Sequence, residues 1–270
     1  LQSQSTISYA VFCLNKKKPV FFPDITYSFY KVWADLYRIP YECKKVDENF
    51  HIIKEDYYPE NGGVIFPNPN APTSIYEDLE FVEDIIRHNQ DVIVIVDEAY
   101  IDFAGESALS LLDKYDNLII TQTFSKARSM AGMRIGYAIA SPLLIKYLND
   151  AKYSFNSYTM NKTSLVYGAE AVKDKEYFAE TTRKIVETRD WAEEEFKKLG
   201  FVFPKPSANF IFVSHPEYDA KELFEAMKAK GIYVRFWGSE RIEQYLRVTI
   251  GTREEMEALF AFLREYMMKC

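Results

Sequence analysis

The sequence predicts an α/β protein: a mostly parallel central sheet flanked by helices, followed by a small C-terminal α+β unit. Three observations carry that prediction. Short β-rich runs alternate with helical patterns from Pro19 to Ala140, which is the signature of crossover units. Val92-Ile93-Val94-Ile95-Val96 is an unbroken β-branched run, as expected of a strand covered on both faces. After Pro142 the pattern turns helical, and short strands return only beyond Phe201.

In chain order, Pro19 to Phe22 predicts a strand. Ser28 to Arg38 predicts a helix, with Phe29, Val32, Trp33, Leu36 and Tyr37 at helical spacing. Tyr41 to Val46 and Gly63 to Phe66 predict two further strands. Ile75 to His88 predicts a helix with Ser74 as its N-cap. Strands follow at Val92 to Val96, Asn117 to Thr121 and Ile135 to Ala140. Residues 142–200 predict helices, the longest being the charged stretch from Asp174 to Leu199. A strand at Asn209 to Ser214, a helix at Ala220 to Lys230 stopped by Gly231, strands at Tyr233 to Phe236 and Tyr245 to Thr249, and a final helix at Arg253 to Met268 complete the chain. The expected organisation is a large α/β domain over 1–165, connecting helices over 166–200 and a small domain over 201–270.

The 270 residues are 48% hydrophobic and 27% charged, ordinary values for a globular protein large enough for such an arrangement. A net charge of −7 argues against a general nucleic-acid or anionic-membrane surface. No apolar run approaches the roughly 20 residues that span a bilayer, and the start, Leu1 to Gln4, does not read as a signal segment. Cys13, Cys43 and Cys270 are scattered, which fits idle thiols in a reducing, cytoplasmic compartment. His51, His88 and His215 lack ligand spacing, so no metal site is expected.

In parallel α/β sheets, ligands sit at the carboxyl ends of the strands. Asp97 follows the Val92–Val96 run. Thr123, Ser125 and Lys126 follow the next strand, and Arg134 follows the turn Ser129-Met130-Ala131-Gly132. Singly, such residues are most often turn formers or solvated side chains. Together they match the parts of pyridoxal phosphate (PLP). A carboxylate beside the pyridine nitrogen, here Asp97, keeps it protonated so that the ring accepts electrons. A lysine, here Lys126, binds the aldehyde and moves a proton. Hydroxyls and a guanidinium, here Thr123, Ser125 and Arg134, hold a phosphate. Tyr100 is placed to donate to the ring oxygen O3′, and Tyr27 to cover the ring face.

The run Thr123-Phe124-Ser125-Lys126-Ala127-Arg128-Ser129-Met130-Ala131-Gly132-Met133-Arg134-Ile135-Gly136-Tyr137 resembles the PLP-lysine segment of fold-type I aminotransferases, close to the histidinol-phosphate aminotransferase branch. Val96-Asp97-Glu98-Ala99-Tyr100 resembles that family's cofactor-nitrogen segment, and Pro67-Asn68-Pro69-Asn70-Ala71-Pro72-Thr73 its asparagine loop. Pro23 to Tyr30 resembles the stacking-aromatic segment, and Tyr245 to Thr252 the arginine strand of the small domain. The five motifs run in the family's order.

The resemblance implies a homodimeric PLP aminotransferase acting on an amino donor and a 2-oxo acid, with histidinol phosphate as the donor. Lys126 is then the Schiff-base lysine, Asp97 the pyridinium partner and Tyr100 the O3′ donor. Thr123, Ser125 and Arg134 hold the phosphate, and Tyr27 stacks. Arg247 takes the anionic end of the substrate, with Arg235 and Asn209 lining the same pocket.

Two departures stand out. Ala71 occupies the position of the family's asparagine before Pro-Thr, leaving Asn70 or Asn68 to reach O3′. Gln2-Ser3-Gln4-Ser5, ahead of a helical run from Thr6 to Leu14, stands where a Gly-Ser-Asp-Glu-like phosphate turn is expected. Ser3 would serve there, and the family's N-terminal arm is expected to be lacking. Other readings are a related PLP enzyme, such as a threonine-phosphate decarboxylase or an aromatic aminotransferase, and a truncated, non-catalytic relative.

Overall fold

The computed structural model describes residues 18–268, apart from the side chain of Phe155. The expected turn at Gln2–Ser5, with Ser3, and the helix at Thr6–Leu14 lie outside the described residues.

Six strands form the main sheet: β1 (Val20–Pro23), β2 (Tyr41–Lys44), β3 (Val64–Pro67), β4 (Val94–Asp97), β5 (Leu118–Thr123) and β6 (Gly136–Ala140). Their order is β2-β1-β3-β4-β5-β6, parallel except for β6, which runs antiparallel to β5. The β-branched runs make two dry faces. Val64, Phe66, Val94, Val96, Leu118 and Ile120 belong to one core cluster, while Ile65, Ile95 and Ile119 belong to another. Burying each such side chain is worth roughly 1.5–3 kcal/mol. Helix α1 (Phe29–Tyr37) and helix α3 (Pro142–Phe155) cover the second face with Tyr30, Trp33, Leu144 and Leu148. Helix α2 (Leu79–His88) covers the first with Val82, Ile85 and Ile86.

The start of α2 departs from expectation. Asp78, not Ser74, is the N-cap: its carboxylate accepts from Phe81 N at 2.8 Å. Ser74 lies in the left-handed region (φ 67). Its hydroxyl is engaged far along the chain, accepting from Ser207 N at 3.0 Å and Ala208 N at 2.8 Å. Serine and aspartate cap about equally well, so the long-range donors decide which one is left for the helix.

Helices α4 (Lys162–Lys173) and α5 (Lys175–Lys198) follow. A second, antiparallel sheet orders β7 (Phe210–Val213), β9 (Leu246–Thr249) and β8 (Arg235–Phe236). It packs with α6 (Ala220–Ala229) and α7 (Arg253–Met267) around Phe196, Ile211, Leu223, Val248 and Phe260. Gly231, at φ 77, ends α6 as its position predicts. The two sheets share buried contacts, because Phe212 and Ile242 belong to the core cluster of the first. Buried Arg189 of α5 donates to Phe103 O at 3.0 Å and Ala208 O at 3.1 Å, bridging the two.

Candidate active site

Register fixes the rim on which the polar residues gather. Pro67 pairs with Asp97, Asp97 with Thr121, and Thr123 with Gly136. The carboxyl ends of β3, β4 and β5 therefore stand level. Because β6 runs backwards, its start lies at that same rim and carries Arg134 there. A cavity of about 380 Å³ opens on it. Tyr27, Asp97, Tyr100, Thr123, Ser125 and Lys126 line it, with Arg134 and, from the second sheet, Arg247. A larger hollow of about 600 Å³ between the turn after Lys126 and helices α4 and α5 holds none of the candidate residues.

Asp97 ends β4 and is buried. Its Oδ2 accepts from the Tyr30 hydroxyl at 2.9 Å, and its Oδ1 accepts from Ala99 N at 3.2 Å and the Thr121 hydroxyl at 3.5 Å. Burial pushes its carboxyl up to about 6, against the pull of those donors and of Lys126. A buried carboxylate held by neutral donors favours a cationic partner, and a protonated ring nitrogen is one.

The Lys126 ammonium lies 5.2 Å from the centre of the Tyr100 ring. That ring is fixed edge-on by Phe210 of β7, at 5.0 Å between centroids. Thr123 Oγ1 donates to Ile135 O at 3.2 Å and accepts from Ser125 N at 3.1 Å, which shapes the turn before the lysine. Ser125 Oγ is buried with no hydrogen-bond partner among the described residues. Arg134 adopts φ 58, and its Nη1 donates to Ala131 O at 2.6 Å. An orphaned buried hydroxyl costs about 1–3 kcal/mol unless a ligand satisfies it, and a phosphate oxygen would do so.

Arg247 of β9 is buried enough to lower its basicity, and nearby Arg235 lowers it further. The two stand opposite each other across the β8–β9 ladder. Arg247 leans on Phe210 and Trp237, at 5.0 and 5.5 Å, and its Nε has no hydrogen-bond partner among the described residues. Arg235 leans on the same Trp237, at 5.2 Å.

Four residues that the sequence offered for the site are not among the cavity's lining. Asn70 does not line the cavity. Its amide donates to Ile25 O at 3.0 Å and Thr73 Oγ1 at 3.1 Å, and its Oδ1 accepts from Thr26 Oγ1 at 3.1 Å. Asn68 is likewise engaged, with both ends of its amide on the Glu77 backbone. Ala71 lines the cavity instead. Asn209 and Arg235 are not part of the lining; the backbone carbonyl of Asn209 accepts from Ile250 N at 2.9 Å.

Two contributors escape the sequence reading. Tyr30, in the first turn of α1, packs edge-on against Tyr27 at 5.7 Å between ring centroids and reaches Asp97 with its hydroxyl. Gln122 lines the cavity between neighbours that fix both ends of its amide. It donates to buried Glu98 at 2.7 Å and accepts from Tyr137 at 2.6 Å.

The donor and acceptor set fits pyridoxal phosphate: a buried carboxylate for the ring nitrogen, a lysine for the aldehyde, and an unsatisfied hydroxyl with a guanidinium for the phosphate. The comparisons agree. Residues 3–263 match the family model for aminotransferase class I and II. A histidinol-phosphate aminotransferase of Lactococcus lactis is 44% identical over 264 residues, 98% of this chain and 73% of that protein. One from Pseudomonas putida is 49% identical over 241 residues, covering 89% and 69% of the two chains. Among solved structures, the histidinol-phosphate aminotransferase from Clostridium acetobutylicum superposes with a TM-score of 0.89 at 21% identity, over 100% of this chain and 82% of that one. The Sinorhizobium meliloti enzyme, solved in complex with pyridoxal-5′-phosphate, gives 0.83 at 22%, over 98% and 76%. Those structures speak to the fold, and the sequence relatives to kinship: the chain belongs to the class I and II aminotransferase family, pyridoxal-phosphate enzymes of fold type I.

Proposed function

We propose that this enzyme moves an amino group between L-histidinol phosphate and 2-oxoglutarate, giving imidazole-acetol phosphate and L-glutamate, with pyridoxal phosphate as cofactor. One observation carries the choice of donor: the half-buried guanidinium of Arg247 in the cavity lining, whose Nε has no hydrogen-bond partner among the described residues, with Arg235 directly opposite. Like charges facing one another across a ladder repel, and a phosphate between them reverses the sign. The curated relatives named above bear the same activity in their names.

When bound, the cofactor supplies an electron sink for the substrate's Cα. Asp97, braced by Tyr30, holds the proton at the ring nitrogen. Lys126 Nζ would hold the cofactor's aldehyde carbon, and its amine would move a proton at the substrate's Cα. Tyr100 orients O3′, and Tyr27 covers the ring face. Ser125, Thr123 and Arg134 anchor the phosphate, as does Ser3. Arg247, with Arg235 opposite it on the β8–β9 ladder, would orient the substrate's anionic end, a role in which Asn209 would assist.

The assay is glutamate formation from L-histidinol phosphate and 2-oxoglutarate, with Lys126→Ala as control. Turnover abolished by that substitution is the expected result. Release of CO₂ from a phosphorylated amino acid in place of glutamate formation would overturn the assignment.

The same reading divides the chain into 1–165, 166–200 and 201–270, supported by the separate core clusters. It places the enzyme in the cytoplasm, supported by the free thiol of Cys43. Among the described residues, no helix is long and apolar enough to cross a membrane. It also makes the enzyme a homodimer. Leu143, Tyr147, Tyr153, Leu165 and Tyr167 are exposed along α3 and α4, an apolar stretch suited to burial against a second copy. Light scattering that gives twice the chain mass is the expected outcome.

A further inference from the structure

The connection between β8 and β9 joins the two arginines of the anion site, and it docks on the first sheet. Ile242 is buried in that sheet's core cluster, to which Ile25 and Val46 also belong, and Tyr245 packs edge-on to Phe50 at 5.1 Å. Trp237, at the start of the connection, carries both guanidiniums. At its tip Arg241 adopts the left-handed φ of 72, a strained conformation for a long side chain that persists where the surroundings hold it. Its Nη1 pairs with Asp24 Oδ2 at 2.9 Å, and its Nη2 donates to Val46 O at 2.8 Å and Asp47 O at 2.9 Å. Asp24 in turn accepts, through Oδ1, from Ile25 N at 2.9 Å and Val46 N at 3.1 Å. Its segment continues within three residues to Tyr27, which lines the cofactor cavity. One short connection thus touches the anion site at both ends and the stacking loop at its tip.

We propose that Arg241 is a positioning residue: through its fork on Asp24, Val46 and Asp47 it couples occupancy of the anion site at Arg235 and Arg247 to the placement of Tyr27 over the cofactor. An anion drawing the two arginines together tightens the connection between them, and the Arg241–Asp24 pair passes that restraint to residues 24–27. The coupling rests on the reading of Arg247 and Arg235 as an anion site, and it is reciprocal: fixing Tyr27 also favours the anion.

The test is amide hydrogen exchange on the cofactor-loaded protein, with inorganic phosphate as the probe at constant ionic strength. In the wild type, phosphate should slow exchange over both 245–250 and 24–30. In Arg241→Met it should slow 245–250 alone, and KM for L-histidinol phosphate should rise about tenfold with a smaller change in kcat. Should Arg241→Met fail to fold, Asp24→Asn serves in its place, since its Oδ1 still accepts from Ile25 N and Val46 N. Slowing at 24–30 that survives the substitution, or that is absent from the wild type while 245–250 responds, overturns the coupling alone. Absence of slowing anywhere overturns the anion site and the coupling with it.

Discussion

The hydroxyl of Tyr30 donates to Oδ2 of Asp97 at 2.9 Å, across 67 residues of chain and in full burial. Removing it takes one donor from a carboxylate that has only neutral ones within hydrogen-bond reach. Tyr30→Phe should weaken pyridoxal phosphate binding by ~1–2 kcal/mol, a five- to thirtyfold rise in Kd. Equilibrium dialysis checks this, and the phenyl ring keeps the packing against Phe22 and Trp33.

The Asp97 carboxyl, raised from 3.8 to about 6 by burial, gives a pH dependence whose sign can be worked out. Between those values the ligand-free fold keeps a proton that the unfolded chain has released. Stability of the ligand-free protein should therefore fall as the pH rises through that window, by ~3 kcal/mol, and level off above it. Urea titrations across the window measure the slope. Asp97→Asn should remove it, and saturation with cofactor should suppress it by supplying the cationic partner.

Ser125→Ala separates a ligand contact from a structural one. The hydroxyl is buried with no hydrogen-bond partner among the described residues, so its removal should leave the unfolding free energy of the cofactor-free protein unchanged or raise it by up to about 1–3 kcal/mol. The cofactor Kd should rise about fivefold, the worth of one hydrogen bond at ~1 kcal/mol. A large stability loss with unchanged Kd would show that the hydroxyl serves the fold alone.

For Arg247 the two effects should have opposite signs. Arg247→Met removes a half-buried charge that faces Arg235 and lacks an ion-pair partner among the described residues. The Tm of the ligand-free protein should hold or rise. KM for L-histidinol phosphate should rise 10- to 100-fold, the loss of a charge-assisted contact of about 1.5–3 kcal/mol. Differential scanning fluorimetry and steady-state kinetics read the two quantities.

The residues legible in the sequence share one property: backbone position alone determines their placement. Asp97, Thr123, Ser125 and Lys126 stand at strand ends, and a β-branched run of fixed length delivers its end to the rim whatever the neighbours do. Arg134 was placed there by the turn before it, and the antiparallel direction of β6 explains why. Asn70 shows the limit. A short amide in a proline-rich loop has backbone groups on every side, and which of them it meets depends on the fold of Ile25 and Thr73 around it. Tyr30 was hidden for another reason: in a helix rich in aromatics, its ring reads as core, and only the far-off carboxylate gives its hydroxyl a role. Ser74 reads as a helix cap because its real partners, Ser207 and Ala208, lie far down the chain.

Those partners bear on how the molecule comes apart. Ser74 and Arg189 both grip the backbone at 207–208, and Phe212 and Ile242 close a core seated on the opposite sheet. A polypeptide severed near Gly200 would leave carbonyls, amides and two large apolar side chains in water on one or both pieces. Neither half should then fold well alone, and the protein should melt in a single cooperative transition.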